Sequence, residues 1–435
     1  MKEIKTVTVL GANGTMGANV AGIFAAFSNA KVYMVCRNYH DAVKAVSKAC
    51  MSVRADSIRK NLVPADYQSL EACIRASDLI FESTSENLEV KKAVYLQISN
   101  LLNDHCILCS GTSGLSITIL SEFLPINKRS RFFGVHMFNP PYKMPLCELI
   151  STKYTDAEVK QELRFYLESI LYRTVVEVSD SPAFLANRIG FMLINVALQR
   201  AEQMKDYGGV DYIDAIMGPF SGRNMAPLRT CDFVGLDVHK AIVENIYHNT
   251  DDYAKDCFTL PTFVSRLIDR GYLGRKAGKG IYRTELLGEN KKNHLVYDIA
   301  SDSFRKRINY SFPFAEKMKA ALRVGEYVPA LQTLVHNRSK EAELCLELLL
   351  QYAIYAISTA REVAVLRSAD DVMATGFNWC PPLALLEGLA GVTDVKALVK
   401  ERLDTKLLSG VDIDSLFADL PASAYDYRSF FRSSR

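Results

Sequence analysis

The stretch from Lys5 to Gly17, Lys-Thr-Val-Thr-Val-Leu-Gly-Ala-Asn-Gly-Thr-Met-Gly, decides the fold. Its apolar start predicts a buried strand over residues 5–10, and the GxxGxxG spacing predicts a turn that opens a helix from about Met16 to Ser28. Glycines in such a turn allow the sharp bend, a close backbone approach to a pyrophosphate and tight packing of helix on strand. The helix N-terminus also favours phosphate. The sequence therefore predicts a dinucleotide site at Gly11, Asn13, Gly14, Thr15, Met16 and Gly17.

Short apolar strands alternate with helical patterns as far as residue 180. Helices are predicted over about residues 40–60 and 88–102. Further strands are predicted at residues 31–35, 79–82, 106–110, 131–136, 146–150 and 173–178. This alternation is typical of a doubly wound, mostly parallel sheet, the α/β Rossmann-type architecture.

From Pro182 onward the strand signal disappears and long helical patterns replace it. A faint internal repeat runs through this half: Val210–Met217, Ala226–Leu228 and Asp232–Leu236 are matched in order by Ala369–Met373, Cys380–Leu383 and Glu387–Gly391. We therefore predict an all-α C-terminal region made of two related helical units. The expected domains are a Rossmann domain at 1–180, a first helical domain at 181–284, a polar linker at 285–328 and a second helical domain at 329–435.

Composition is ordinary for a globular protein. The 435 residues carry a net charge of +3 with no basic tract, which gives no indication of nucleic acid. Ten cysteines lack paired spacing, which favours reduced thiols over disulfides or a zinc site, so we expect no metal. No apolar run reaches membrane length, and a strand starting at residue 5 leaves no room for a leader peptide. We expect a cytoplasmic protein without a membrane partner.

The end of the second strand bears on the choice of dinucleotide. An acidic residue there usually binds the adenosine ribose of NAD, but this chain has Cys36, Arg37 and Asn38. A thiol cannot replace a carboxylate, whereas Arg37 could pair with the 2′-phosphate of NADP. Arg37 could equally be a solvated residue at the strand end. NAD and NADP therefore both stay open as cofactors.

Several segments together resemble the 3-hydroxyacyl-CoA dehydrogenase family. His136-Met-Phe-Asn139-Pro140, with Glu148 twelve residues after the histidine, is similar to that family's signature. Five further segments match the family in the same order along the chain: the glycine-rich turn at residues 11–17, Glu82–Asn87 with Lys91, Ser110–Ser116, Asp180–Arg188 and Gly274–Tyr282. The resemblance covers residues 5–283, and more weakly the second helical copy, as in longer family members.

The resemblance implies a role for each residue. His136 would be the acid/base that takes or returns the hydroxyl proton, and Glu148 would orient its ring, as a carboxylate does in a Ser-His-Asp triad. Ser113 and Asn187 would bind the substrate oxygens. Asn139 and Lys276 would contact the cofactor or brace the site, while Glu86 and Lys91 would line the nicotinamide side. Singly, each residue also fits a structural role; together, in family order, they favour the catalytic one.

The chain departs from the family pattern in the loop between cofactor and substrate. Gly111 stands where the family usually has Asn, and Gly114 stands where it has Ser. Ala183 replaces the usual Gly. For coenzyme A phosphates, the candidates are Arg54, Arg59 and Lys60, which are expected on the helix after the second strand, although a solvated helix face explains them as well.

The resemblance implies an NAD(P)-dependent dehydrogenase that interconverts (S)-3-hydroxyacyl-CoA and 3-oxoacyl-CoA in fatty-acid metabolism. The partner is an acyl-CoA substrate, and the protein is expected as a monomer or a homodimer. One alternative is a dehydrogenase of a free hydroxy acid on the same fold. Another is a non-catalytic paralogue that binds CoA or nucleotide.

Overall fold

The computed structural model describes residues 3–287 and 291–433. They form two compact units, Met1–Phe184 and Leu185–Arg435. The division falls four residues beyond the boundary expected from the sequence. Among the described residues, no helix combines the length and the apolar sequence that crossing a membrane requires.

The first unit is built on a sheet of eight strands: β1 Thr6–Leu10, β2 Lys31–Cys36, β3 Leu62–Asp66, β4 Leu79–Glu82, β5 Ile107–Ser110, β6 Phe132–Met137, β7 Leu146–Ile150 and β8 Thr174–Val178. Their order is β3-β2-β1-β4-β5-β6-β7-β8. Strands up to β6 pair in parallel, β7 pairs antiparallel to β6, and β8 pairs in parallel with β7. The Rossmann-type fold predicted from the sequence is confirmed.

Helices connect these strands: α1 Thr15–Phe27, α2 Tyr39–Val53, α3 Leu70–Ala76, α4 Leu88–Ile98, α5 Ile117–Glu122 and α6 Ala157–Phe165. Residues of α1 and α2 that face the sheet are fully covered, among them Val20, Phe24, Ala42 and Ala45. The apolar strands and the apolar helix faces therefore bury each other. This packing holds the ends of the parallel strands in one row, where the functional residues lie.

The strand β3 was not predicted. It contains Pro64 and lies at the edge of the sheet, where a missing backbone N–H is tolerated. The predicted helix over residues 40–60 was too long. The helix α2 ends at Val53 because Arg54 adopts a left-handed conformation with φ of 55°.

The second unit contains twelve α-helices among the described residues: α7 Ala186–Gln203, α8 Val210–Ile216, α9 Pro227–Val234, α10 Leu236–Asn249, α11 Thr262–Asp269, α12 Pro313–Arg323, α13 Tyr327–His336, α14 Lys340–Val363, α15 Ser368–Val372, α16 Pro382–Ala390, α17 Val395–Arg402 and α18 Ile413–Ala418. The segment 285–328, expected as a polar linker, is structured instead. With Tyr282–Leu287 (β9), strands β10 Lys291–Asp298 and β11 Ser303–Lys306 form an antiparallel sheet, and α12 follows. Its polar sequence hid several buried residues, among them Val296 and Tyr297, which lie on opposite faces of β10.

The two helical copies share one specific contact. The carboxylate of Asp214, on α8, accepts hydrogen bonds from the backbone N–H groups of Leu228 and Arg229 at the start of α9. Asp370, on α15, accepts one from the N–H of Leu383 at the start of α16. Each aspartate thus caps the helix that follows it, and a proline begins that helix in both copies. This supports the proposal that the region arose by duplication.

Candidate active site

The glycine turn is packed too closely to admit side chains. Gly11 has a φ of 74°, and a Cβ built on it would lie 2.5 Å from the carbonyl oxygen of Ser83. A Cβ on Gly17 would lie 2.4 Å from the carbonyl oxygen of Gly11. The N–H groups of Gly11 and Ala12 both donate to the carbonyl of Val35, which fixes the turn against β2. Only glycine fits at positions 11 and 17.

The start of α1 is open to a ligand. Asn13, Gly14 and Thr15 are exposed and Met16 is half-buried. Gly14 precedes the helix and supplies no side chain to cap it, and the first turn contains no acidic residue. The backbone N–H groups of this turn and the positive end of the helix dipole therefore suit a phosphate. These residues fit a dinucleotide.

The end of β2 has no carboxylate. Burial raises the pKa of the Cys36 thiol to about 11, although a hydrogen bond from the Asn13 backbone opposes this rise, so the residue is a neutral thiol packed under the turn. Arg37, the next residue, is exposed. Lys48, on α2, donates from Nζ to the carbonyl oxygen of Asn13 at 3.1 Å. Lys48 thus lies beside the turn, and Arg37 lies at the end of β2. Lys48 was not predicted as a site residue, because no local motif marks it.

His136 and Glu148 form a buried pair. They are register partners in the antiparallel pairing of β6 with β7, and His136 Nδ1 lies 2.7 Å from Glu148 Oε2. Glu148 is fully covered and His136 is 5% exposed. The carboxylate accepts from Nδ1–H, so the other ring nitrogen is left to exchange a proton with a ligand. The predicted pairing of these two residues is present in the structure.

Two phenylalanines hold the imidazole from other sides. The ring centroids of Phe138 and Phe184 lie 4.5 Å and 5.5 Å from that of His136. Phe184 reaches this position because Ala183 and Phe184 adopt left-handed backbone, with φ of 61° and 57°. Glycine adopts this conformation more readily than alanine, which explains why a glycine at position 183 is the family's usual residue.

A second buried cluster surrounds Glu82, which ends β4. Its carboxylate accepts from Lys91 Nζ at 2.8 and 2.9 Å, from the Tyr95 hydroxyl at 2.7 Å and from the Ser110 hydroxyl at 2.9 Å. Burial alone would raise the pKa of Glu82, but the ammonium of Lys91 and the hydrogen bonds from Lys91, Thr84 and Tyr95 together outweigh it and lower that pKa below its ordinary value. Both side chains are almost fully covered. The cluster fixes the ends of β4 and β5. Lys91 therefore has a structural role as the partner of Glu82. Its predicted place beside a nicotinamide remains a proposal.

Glu86 joins two loops at the same edge of the sheet. Its Oε1 accepts from the Thr112 hydroxyl at 2.5 Å and from the Ser113 backbone N–H at 2.9 Å. Ser113 is half-buried and Glu86 is exposed. Glu86 therefore sets the conformation of the loop that carries Ser113.

Gly111 has a steric explanation. A Cβ at this position would lie 2.7 Å from Cζ of the buried Phe81 ring and 3.2 Å from the carbonyl oxygen of Glu82. An asparagine, which the family usually has here, would collide with Phe81. The aromatic ring fills the space that the missing side chain leaves.

Asp180 begins the segment Asp180–Arg188 that resembles a family motif, and the sequence alone indicates no role for it. Its carboxylate accepts from the Ser116 hydroxyl and from the backbone N–H groups of Ile117 and Thr118, at 2.8 to 2.9 Å. It caps α5 and ties the segment before Phe184 to the loop after β5. A lone aspartate before a proline-containing turn gives no sequence signal for such a long-range cap.

The remaining predicted residues divide between the two units. Asn139 is exposed, and its Oδ1 accepts from Asn19 Nδ2 of α1 at 3.0 Å. Asn187 lies buried in the first turn of α7, in the second unit. Lys276, also in the second unit, pairs with Asp237 at 2.6 Å. This pairing favours the bracing role for Lys276 over contact with a cofactor.

The candidates for coenzyme A phosphates do not lie on one helix, so that prediction is wrong. Arg54 ends α2, while Arg59 and Lys60 lie in a short 3₁₀ helix and are exposed. Lys60 borders a cavity with Lys5 and Lys31, which lie at the amino ends of β1 and β2. The glycine turn and His136 belong to the opposite, carboxyl-end edge of the sheet. These basic residues are therefore not grouped with the catalytic pair.

The strand order and the glycine turn define a dinucleotide-binding Rossmann protein that carries a histidine–glutamate pair. Residues 6–181 match the family model described as 3-hydroxyacyl-CoA dehydrogenase, NAD binding domain, and residues 184–284 match the C-terminal domain of the same family. The chain belongs to the 3-hydroxyacyl-CoA dehydrogenase family.

Two curated relatives agree with this membership, and one solved structure shares the fold. A protein of Bacillus subtilis named "Probable 3-hydroxyacyl-CoA dehydrogenase" is 29% identical over 322 residues, which are 73% of this chain and 39% of that protein. One of the same name from Deinococcus radiodurans is 30% identical, over 65% of this chain and 83% of that protein. A solved 3-hydroxybutyryl-CoA dehydrogenase of Escherichia coli superposes with a TM-score of 0.67 over 92% of this chain and 95% of its own, at 19% identity. The chain spans about half or less of the length of the first curated relatives.

Proposed function

We propose that this protein oxidises (S)-3-hydroxyacyl-CoA to 3-oxoacyl-CoA, and catalyses the reverse reduction, with His136 as acid/base. The observation that carries the proposal is the contact of 2.7 Å between His136 Nδ1 and Glu148 Oε2, buried at the carboxyl-end edge of a dinucleotide-binding sheet. The names of the relatives supply the substrate class.

The residues divide the work of the reaction. A nicotinamide, when bound, accepts or returns the hydride at C3 of the substrate. His136 takes the hydroxyl proton on Nε2 during oxidation and returns it during reduction, while the Glu148 carboxylate fixes the tautomer and stabilises the imidazolium. Phe138 and Phe184 exclude water from the ring. Ser113 and Asn187 are the proposed donors to the substrate oxygens.

We infer that the protein accepts NADP as well as NAD, the dinucleotide that the family model names. At the end of β2 a neutral, buried thiol replaces the carboxylate that would accept from the ribose hydroxyls. The exposed Arg37 and the nearby Lys48 offer positive charge to a 2′-phosphate instead. Arg37→Gln should then raise the KM for NADPH by about tenfold and leave the KM for NADH unchanged. An equal effect on both cofactors would contradict this inference.

The decisive experiment is reduction of acetoacetyl-CoA, followed by the loss of reduced-nicotinamide absorbance with each cofactor in turn. Free acetoacetate is the matched substrate, since turnover of the free acid alone would identify a hydroxy-acid dehydrogenase. We expect turnover of the thioester and a loss of about 10²–10⁴-fold in kcat for His136→Gln. Cofactor affinity should persist in that variant. Wild-type turnover by His136→Gln would refute the mechanism.

We propose that the protein is a monomer. Equivalent loops of the two helical copies pair with each other: Arg223 and Trp379 form an antiparallel bridge, and the N–H of Cys380 donates to the carbonyl of Gly222 at 2.7 Å. The Arg223 guanidinium lies 5.0 Å from the Trp379 ring and 5.2 Å from the Tyr352 ring. Each copy thereby covers a face that a second chain would otherwise occupy. Light scattering of the purified chain tests this proposal.

A further inference from the structure

A cavity of about 670 Å³ lies entirely within the second unit. It is formed by α9, the loop before it, the segment 275–278 and the strands β9 and β10. Its volume is within the usual range for small-molecule sites. None of the residues assigned above to the acid/base pair or to the dinucleotide turn lines it.

The lining carries more positive charge than its neighbours neutralise. Four arginines border the cavity, and Arg283 is paired with Glu285 at 2.9 Å. Within residues 3–287 and 291–433, Arg229, Arg275 and Arg307 have no carboxylate partner within 4 Å. Arg229 and Arg307 both act on the phenol of Tyr282, where they partly offset the rise in pKa that burial causes. Four arginines thus share the lining of one open cavity.

The two carboxylates of the cavity are committed to the fold. Asp214 Oδ1 accepts from the Leu228 N–H, and Oδ2 accepts from the Arg229 N–H and the Tyr282 hydroxyl. Asp232 Oδ1 accepts from the backbone N–H groups of Ile281 and Tyr282. These bonds hold the carboxylates against donors of the fold. Arg229 also acts on both carboxylates, so Arg275 and Arg307 are the cations most available to a ligand.

Aromatic rings complete the lining. The Arg229 guanidinium lies 5.1 Å from the Tyr282 ring, and that of Arg275 lies 5.5 Å from the Phe233 ring. Stacking of this kind holds a guanidinium in place while its N–H groups remain free. Phe233 is 43% exposed at the cavity, and the ring face opposite the Arg275 guanidinium is the one offered to a planar group.

We propose that this cavity is a second binding site, for the phosphorylated adenosine group that adenine nucleotides and coenzyme A share. The unpaired arginines bind the phosphates, and Phe233 stacks on the base. The site is separate from the proposed catalytic site, because it is assembled from residues of the second unit alone.

Calorimetric titration of the full-length protein with ADP tests the proposal by stoichiometry. The wild type should bind two equivalents, one at the glycine turn and one in this cavity. Arg307→Met, at an exposed position, should weaken one of the two ADP-binding steps by about tenfold or more. Adding Arg229→Met and Arg275→Met should abolish that step. Arg323→Met, an exposed arginine at the end of α12, is the matched control and should change neither. A single equivalent that none of the three substitutions affects would overturn the proposal.

Other probes identify what is recognised. Phe233→Leu should weaken ADP but leave inorganic pyrophosphate unaffected, because only the nucleotide has a base to stack. If pyrophosphate binds the wild type as tightly as ADP, the nucleotide assignment is overturned. The comparison uses the binding step that the triple arginine variant loses, because acyl-CoA also binds at the proposed catalytic site. At that step, coenzyme A binding tighter than ADP assigns the cavity to the coenzyme, and the reverse order assigns it to a free nucleotide. These measurements use binding alone, so they stand apart from any result on turnover.

Discussion

His136 and Glu148 are twelve residues apart in sequence but directly opposite each other in the sheet, with 2.7 Å between Nδ1 and Oε2. The contact depends on the reversal of chain direction between β6 and β7. A carboxylate on a strand has less freedom than one on a loop, so the ring is oriented before any ligand arrives.

Glu148→Gln should lower kcat by about 10²-fold or more with little change in KM for the acyl-CoA, because the substitution removes the charge that stabilises the imidazolium but preserves the shape. Steady-state kinetics measure both constants. Glu177→Gln, a glutamate on the neighbouring strand β8 that pairs with Lys160 and Arg164, is the control and should keep the wild-type kcat. A parallel rise in KM would point to a distorted binding site instead.

Lys91→Met should lower the free energy of unfolding by about 3–5 kcal/mol, because it leaves the Glu82 carboxylate buried without its cation. Urea denaturation measures the change. Lys92→Met is the matched control on the same helix. The Lys92 side chain is 43% exposed and lies 4.0 Å from Glu89, so this substitution should lower the free energy of unfolding by less than about 1 kcal/mol. The double variant Glu82→Gln/Lys91→Met should recover part of the loss. Equal losses in the two lysine variants would contradict a buried ion pair.

Gly111→Asn, which restores the family's usual residue, should destabilise the protein by about 1–3 kcal/mol, because its Cβ would lie 2.7 Å from the Phe81 ring. Thermal unfolding measures the effect. The double variant Gly111→Asn/Phe81→Leu should lose less stability than the two single variants added together, since the smaller side chain makes room. Simple additivity would show that Phe81 is not the obstacle.

Asp214→Asn should alter how stability depends on pH. Burial raises the pKa of Asp214 to about 6, so the folded state holds this proton more tightly than the unfolded chain, where aspartate titrates near pH 4. The stabilisation is complete below about pH 4 and is lost as the pH rises through about 6, by up to 1.4 kcal/mol per pH unit. Between about pH 4 and pH 6, the unfolding free energy of the wild type should therefore fall relative to that of the variant as the pH rises. Asp370→Asn should do the same, since burial raises the pKa of Asp370 to about 6 as well; parallel curves would disprove the effect.

The periodicity of apolar residues and the spacing of glycines predicted much of the first unit's fold. The alternation of strands and helices and the glycine turn were predictable because each element has a periodicity of its own. The edge strand β3 was not, since its five residues include Pro64 and three of the five are only partly buried. The sheet β9–β11 was missed for a related reason: it is rich in charged side chains, and contacts with Asp211 through Arg305 help to hold it.

In the candidate site too, residues in a local sequence motif were predictable and residues joined by long-range contacts were not. His136 and Glu148 were predictable because their spacing matches a family motif, although the strand pairing that joins them is not visible in the spacing. The partners of Glu82 come from β5 and α4, up to 28 residues away, so no local pattern reveals that cluster. Basic residues near Lys60 looked suitable by charge alone, and only the direction of α2 reveals that they belong to the other edge of the sheet.

The bridge between Arg223 and Trp379 has an evolutionary consequence. When two identical chains meet about a twofold axis, every contact between two different positions occurs twice, so a substitution at either position changes two contacts at once. Duplication within one gene removes that restriction. One copy can keep the cation while the other acquires the indole that stacks on it, and the joined pair can drift towards a complementarity that no symmetric dimer can reach.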